Sequence, residues 1–449
     1  MNNHTHHDSK EQVTYIGKVN YRNDNRHFGI KNADRLRHIY CIGKSGTGKS
    51  TLLLNMAIQD IQNGNGCCII DPHSDVAETL LHYIPEERIQ DVLYLNSSDD
   101  EFPVAYNPLR HVHPKYQDLV ASGLISTFKK IWKDSWGPRM EHILRFSLLT
   151  LLEYGDGTLL DVQPLLTDPE FRNEVLSRVK SQHILAFWYN EYARYTNSLR
   201  SEAIAPILNK LGLFSASTVL RSMVGQRTQS FRLQELMDNG KIIIANLSKG
   251  KIGEDACTLI GSMLLSGIQL AVLYRAKQPE HTRRPFYVYV DEMHSFVTLS
   301  FADMLSESRK YGLGLFLTHQ YMEQLPDEIR AAVIGNVGTL ITFRIGADDA
   351  QYLKKEFYPI FTDTDLIHLP RYSMYLKLMI DGTTSQPFSA STLQLSKNTR
   401  CDVSKYVVKK SQKKYGKQNV KIIQPISMEI KNNNKQKELF KIIISKKSP

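Results

Sequence analysis

The stretch "CIGKSGTGKS", residues 41–50, follows "RLRHIY" and runs into "TLLLNMAIQDI". Its ten residues hold three glycines, two lysines and three hydroxyl side chains, far more than a simple turn needs. Gly43, four residues, then Gly48-Lys49-Ser50 is the spacing of a phosphate-binding P-loop. Gly43, Gly46 and Gly48 let the backbone curl with its N–H groups turned inward, a nest for phosphate oxygens. A helix starting near Lys49 aims its positive end at the same anion. Lys49 adds a full charge beside the β and γ phosphates, and Ser50 offers a hydroxyl to Mg²⁺. The alternative is a chance match. Against it, "HIYCI" reads as a short strand and "STLLLNMAIQDIQ" as a helix, the context the motif requires. The candidate nucleotide ligands are Gly43, Lys44, Ser45, Gly46, Thr47, Gly48, Lys49, Ser50 and Thr51.

A second signal is "FYVYVDEMHSF", residues 286–296. An apolar strand ending in Asp291-Glu292 is costly unless the acids meet a cation or a hydrogen-bonding ligand. At the C-terminal edge of a parallel sheet they would face a nucleotide. Asp291 is then the Mg²⁺ ligand, directly or through water, and Glu292 the group that polarises the attacking water. Taken alone, "DE" is an ordinary solvated strand end; the P-loop tips the reading. "GLGLFLTHQ" puts Gln320 at the end of another strand, where an amide can sense a γ phosphate or simply terminate the strand. "ESRKYG" puts Arg309 and Lys310 at a helix end, where the dipole favours cations in any case. The sharper reading is an arginine that reaches a neighbouring subunit's phosphate. Arg344 in "ITFRIG" competes for that role, because it interrupts an apolar run and basic side chains are rarely buried unpaired.

The chain has 449 residues, enough for two or more domains, with 42% hydrophobic and 23% charged residues, as in a soluble protein. Five cysteines show neither metal nor disulfide spacing, which fits a reducing cytosol. The opening "MNNHTHHDSK" is polar and does not read as a secretory signal. Its His4, His6 and His7 are the makings of a metal site, but a frayed, solvated terminus accounts for them better. "ACTLIGSMLLSGIQLAVLY", Ala256 to Tyr274, is long and apolar enough to span a bilayer. It lies between two strands of one sheet, so a buried crossover helix is the expectation, with no transmembrane segment. The net charge is +10, unevenly placed: Lys397 to Pro449 holds 15 Lys/Arg and 3 Asp/Glu, net +12, which leaves the other 396 residues at −2. The basic character belongs to a tail.

The organisation expected is an α/β fold with a mostly parallel sheet covered on both faces. Residues 1–35 form an N-terminal segment whose "YIGKVNY" is a candidate edge strand. The core comprises 36–114 and 236–396. Between them, 115–235 has helical periodicity throughout and no convincing strand, an inserted all-α domain. "SMYLKLMID" and "QPFSAST" are candidates for a last β ribbon. The tail, 397–449, is Lys- and Asn-rich and is expected to be largely disordered.

Together, "IGKSGTGKSTLL", "IIDPHSDVAETLL", "SWGPRMEHILR", "IIIANLSKGKIGEDA", "YVYVDEMHSF", "SESRKYGLGLFLTHQY" and "GNVGTLITFRIGADDA" resemble the HerA/FtsK superfamily of P-loop ATPases. Within it they are most similar to the TraD/TraG-like coupling proteins of conjugative type IV secretion, over roughly residues 13 to 395. The resemblance implies a RecA-like motor core with a helical insertion, ATP and Mg²⁺, a ring that is usually a hexamer, and ATP-driven DNA movement. It makes Lys49 and Ser50 nucleotide ligands, Asp291 and Glu292 the acidic pair, Gln320 the sensor and Arg309 the trans arginine. A secretion channel or relaxase is the implied partner, and a cytoplasmic protein, peripheral at the membrane, the implied location. The chain lacks the transmembrane helices of membrane-bound members, and its first 35 residues leave no room for the N-terminal barrel of the archaeal HerA type. Single- and double-stranded DNA are both compatible with the sequence. A protein-translocating secretion ATPase and a nucleotide-switched scaffold are the other two readings.

Overall fold

The computed structural model describes residues 12–395 and 402–417. The amino-terminal histidines and the tail beyond residue 417 lie outside the described residues. The strands are β1 (Val13–Val19), β2 (His27–Lys31), β3 (Ile39–Ile42), β4 (Gly66–Asp71), β5 (Val92–Asn96), β6 (Ile242–Asn246) and β7 (Phe286–Val290). They continue with β8 (Leu313–His319), β9 (Thr339–Thr342), β10 (Ser373–Lys377), β11 (Met379–Ile380), β12 (Thr383–Thr384) and β13 (Phe388–Thr392). Eleven form one sheet in the order β2-β1-β13-β10-β9-β3-β8-β7-β4-β6-β5, and β11 and β12 form a small ribbon.

From β9 to β5 every pairing is parallel. These strands are almost wholly buried, as their unbroken apolar runs such as "GCCII", "IIIA" and "FYVYV" require. β10, β13, β1 and β2 extend the sheet by antiparallel pairing. In β10, "SMYLK", buried Met374 and Leu376 alternate with half-buried neighbours, the period-2 signature of a one-sided strand.

The two faces carry two cores. On one, Ile39, Cys41 and Ile69 pack under the P-loop helix Lys49–Gln62, through Leu52, Leu53 and Met56. On the other, Tyr40, Ile42, Cys68 and Ile70 pack under helix Glu254–Tyr274 and the helices between β5 and β6. Helix Glu254–Tyr274 is long and apolar enough to cross a membrane, but most of that apolar stretch is buried inside the fold. Among the described residues, the segment from Pro114 to Asp238 contains helices and no strand. Its main members are Gln117–Ile131, Pro138–Tyr154 and Asn197–Ala216. Their core runs continuously into the sheet face, so they form a layer on the α/β unit rather than a body with a core of its own.

Two expectations need correction. β1 is not an edge strand: it is flanked by β13 and β2, and β2 is the edge. Residues 13–31 are therefore part of the main sheet. The short "HFGIK" of β2 gives little strand signal, and its pairing with β1 is interrupted between Tyr15 and Gly17. The basic tail, expected to be largely disordered, includes an ordered helix, Ser404–Tyr415, among its described residues. It buries Val407, Ser411 and Tyr415, one stripe at four-residue spacing, against the β5 edge of the sheet. The Tyr94 N–H of that edge strand donates to Ser411 Oγ at 2.8 Å, and Gln412 Nε2 donates to Asp99 at 2.6 Å. A strand edge that would otherwise offer unpaired backbone groups is thereby covered.

Candidate nucleotide site

The loop after β3 is held by its neighbours in the sheet. Gly43 N–H donates to His319 O (3.2 Å) at the end of β8, and Lys44 N–H to Arg344 O (2.8 Å) just past β9. A side chain at Gly43 would press within 2.6 Å of Phe343 Cβ. Gly46 and Gly48 have φ of 72° and 130°, conformations that glycine alone adopts cheaply. Lys49 is buried, and its Nζ donates to Gly43 O (2.6 Å) and Lys44 O (3.2 Å), which points the ammonium across the mouth of the nest. No side chain caps the helix that starts at Lys49, so its first N–H groups are free for an anion.

β7 delivers the acids. Asp291 and Glu292 are 5% and 6% exposed. One hydroxyl organises both: Thr318 Oγ1, from β8, donates to Asp291 Oδ1 and accepts from Glu292 N–H. Glu292 has φ 49° and ψ 56°, a left-handed backbone that costs a non-glycine residue about 1 kcal/mol or more. Its Oε1 accepts from Gln320 Nε2 at 2.7 Å, while its buried Oε2 has no hydrogen-bond partner. Burial, with the charge of Asp291, pushes the Glu292 carboxyl above its ordinary value, against the pull of Gln320 and Lys49. P-loop, acids and Gln320 line one cavity of ≈ 410 Å³. A buried carboxylate with one oxygen unpartnered, lining the same cavity as a nest of free N–H groups, fits a bound nucleotide with Mg²⁺ and its water.

With that geometry in place, comparison with known proteins is informative. A family model for the DNA-binding domain of type IV secretion-system coupling proteins matches residues 29–358. The chain belongs to this coupling-protein family. Among solved structures it resembles the bacterial conjugative coupling protein TrwBdeltaN70 in its unbound monoclinic form, at 15% identity and TM-score 0.58, covering 87% of this chain and 92% of that one. TrwB in complex with ADP and Mg²⁺ gives 15% identity and TM-score 0.58, covering 88% and 93%. VirB4 of Thermoanaerobacter pseudethanolicus gives 16% and 0.53, covering 86% and 97%. No curated protein sequence matches the chain. The fold is therefore the RecA-like ATPase fold of these proteins, a large, mostly parallel sheet with a substantial helical layer.

Not every residue singled out in this family member reaches the cavity. Ser45, Gly46, Gly48, Lys49, Ser50 and Thr51 line it; Gly43, Lys44 and Thr47 shape the loop behind them. Arg309 lies in the turn before β8, at the edge of the sheet opposite the P-loop. β8 has seven residues, so about 20 Å separate Arg309 from its own nucleotide site. Arg344 is not a buried strand cation, as expected from "ITFRIG"; β9 ends at Thr342, and the Arg344 side chain is exposed. Only its carbonyl serves the P-loop.

Other residues went unread in the sequence. Arg371 and Tyr372 join the cavity from the start of β10. Tyr372 N–H donates to Thr47 O (2.8 Å), and the Arg371 guanidinium lies 4.8 Å from the Tyr372 ring centre. Nothing in "HLPRYSMYL" marks them, because the contact is made across the sheet. Asp71 also lines the cavity, but its oxygens are occupied by the His73 and Ala77 N–H groups at 2.8 Å. It holds the turn after β4.

Proposed function

We propose that the chain is an ATP-hydrolysing motor that moves DNA, working as a ring, usually a hexamer, beside a type IV secretion channel. The observation that carries this reading is the meeting of the P-loop with Glu292, a buried acid in strained backbone with one oxygen free and the other held by Gln320. A nucleotide-switched scaffold has no need of that arrangement. The TrwB structures with ADP and Mg²⁺ and with a non-hydrolysable ATP analogue support taking the same ligands here.

The loop N–H groups and Lys49 hold the phosphates, and Ser50 and Asp291 would hold Mg²⁺, which would supply charge neutralisation at the phosphates. Glu292 Oε2 takes the proton of the attacking water; Gln320 fixes the carboxylate's orientation and senses the γ phosphate. A raised Glu292 carboxyl suits a base, provided it stays ionised at working pH. Arg309 completes a neighbour's site. Arg371 is a further cation at the cavity mouth, with no acid at ion-pair distance among the described residues. DNA is gripped through phosphates, weakly selective for sequence and strongly dependent on salt. Helix Ser404–Tyr415 is part of that grip, for it presents Lys405, Lys409 and Lys413 to solvent and contains no acid.

The test is ATP turnover by the full chain with single-stranded DNA, duplex DNA or no DNA. Stimulation by either DNA supports the reading and names the strand preference. Turnover indifferent to both favours a protein substrate, which the near-neutral body allows, and no turnover removes the motor.

A further inference from the structure

The loop that follows Glu292 is held from outside the sheet. Three of its carbonyls are taken up by side chains of the helices that cover it. Ser262 Oγ, from helix Glu254–Tyr274, donates to Phe296 O at 2.8 Å. Lys130, in the last turn of helix Gln117–Ile131, donates through Nζ to His294 O at 2.5 Å and to Val297 O at 2.8 Å. The ammonium is partly buried and meets no carboxylate there; loss of hydration brings its pKa down to about 7. A cation that accepts that cost to hold two carbonyls, rather than reaching water on a flexible stem, is doing a fixed task.

What the loop carries is the ring of His294, next to the catalytic acid. Gln324 Nε2 lies 3.2 Å from His294 Nε2. An amide nitrogen only donates, so that ring nitrogen accepts, and the proton of the neutral imidazole sits on Nδ1. Nδ1 lies 3.4 Å from Glu292 Oε2 without a hydrogen bond between them, and both atoms are buried with no hydrogen-bond partner among the described residues. A small change in the aim of the His294 ring, set by the position of the loop, decides whether Oε2 is tied up or free. Burial keeps His294 neutral, its pKa held down to about 4.

We propose that Lys130 is a positioning residue for Glu292: it fixes the His294–Val297 loop through two carbonyls and makes hydrolysis depend on the seating of helix Gln117–Ile131. That helix belongs to the layer inserted between β5 and β6, and Lys130 is the side chain by which it grips the catalytic loop. A displacement of the layer by cargo would reach Glu292 through this contact. The inference rests on Glu292 as the base.

The experiment measures kcat, KM for ATP, thermal stability and hydrogen exchange in the full chain. Lys130→Met should lower kcat by about 10- to 100-fold, the scale of a small misplacement of a reacting group. KM should stay within about threefold, because the P-loop is untouched. Amide exchange should quicken over residues 293–298 and not over 43–51. An unchanged kcat in the folded variant overturns the proposal, and so does a parallel loss of KM, kcat and protection across the P-loop. In a Glu292→Gln background, read by single-turnover phosphate release, adding Lys130→Met should change nothing further; multiplied losses would mean that Lys130 does not act through Glu292. If Lys130→Met does not fold, Lys130→Arg keeps charge and donors but moves them. Its kcat should fall at constant KM, and a wild-type rate would refute the positioning role. If Glu292→Gln alone turns over normally, the assignment of the base fails instead.

Discussion

At the scale of single residues, the site is a set of groups each held short of full satisfaction. Lys49 rests on loop carbonyls, Glu292 keeps an oxygen free, and Thr318 serves two acids with one hydroxyl. Lys49→Ala should abolish hydrolysis, and Glu292→Gln should leave ATP bound and cleaved only at a slow residual rate, as read by retained radiolabelled nucleotide. Normal turnover by Glu292→Gln would refute the acid-pair assignment. A second residue-scale expectation concerns stability. Buried His38 accepts from Leu315 N–H at Nδ1 (3.1 Å) and faces Leu305 O at Nε2 (3.0 Å), which fixes a neutral tautomer. Burial holds its pKa near 4, helped by the charge of Arg309. The unfolded chain, with histidine near its ordinary value, binds the extra proton first as pH falls. Stability is therefore lost with falling pH, between the unfolded value of about 6.5 and the folded one. Between pH 7.5 and 5 the His38 share is about 2 kcal/mol. Urea unfolding at both pH values should show a smaller drop in His38→Asn, which keeps an acceptor but no titrating ring; an equal drop would place the loss elsewhere.

At the scale of elements, what was legible in the sequence is what is local. A P-loop declares itself because its glycines, lysine and hydroxyl are consecutive, and the buried strands because both faces demand apolar residues. Asp291 and Glu292 were readable because a strand must explain an acid at its end. Arg371, Thr318 and Lys130 were not, since each acts on a loop more than 25 positions away. The tail helix was masked by its lysines: Val407, Ser411 and Tyr415 are its buried residues, too thin a stripe to stand out among them. Its order changes how a DNA grip is tested. Cutting the chain at Leu395 would also uncover the β5 edge, so charge must be removed with the helix left docked. Lys405, Lys409 and Lys413 are exposed and make no ion pair among the described residues. Changing all three to Gln should keep basal ATP turnover and flatten the log–log salt slope for duplex binding by about 2.7, at roughly 0.9 per phosphate contact. An unchanged slope would show that this face does not touch DNA.

At the scale of the whole molecule, the sheet separates two functions by its own thickness along the strands. The nucleotide cavity occupies the C-terminal edge of β3, β7 and β8, and Arg309 the opposite edge, at the start of β8. About 20 Å of strand lies between them, so Arg309 does not serve its own subunit's phosphates. If it contributes to hydrolysis, it does so across an interface, and turnover per subunit must rise as subunits assemble. Mixing makes the point sharply. An Arg309→Ala subunit keeps a complete P-loop, and a Lys49→Ala subunit keeps its arginine. Each is inactive in a uniform ring, but a mixed ring contains interfaces where an intact P-loop meets an intact Arg309, so part of the activity should return. The fraction restored should track the proportion of such interfaces as the mixing ratio is varied. Mixed rings verified by mass that stay inactive would remove Arg309. The next arginine to test would be Arg344, whose exposed side chain follows β9 and whose carbonyl already holds the P-loop. It lies on the nucleotide edge without lining its own subunit's cavity, so it too would act across an interface, and mixing Arg344→Ala with Lys49→Ala subunits would decide it.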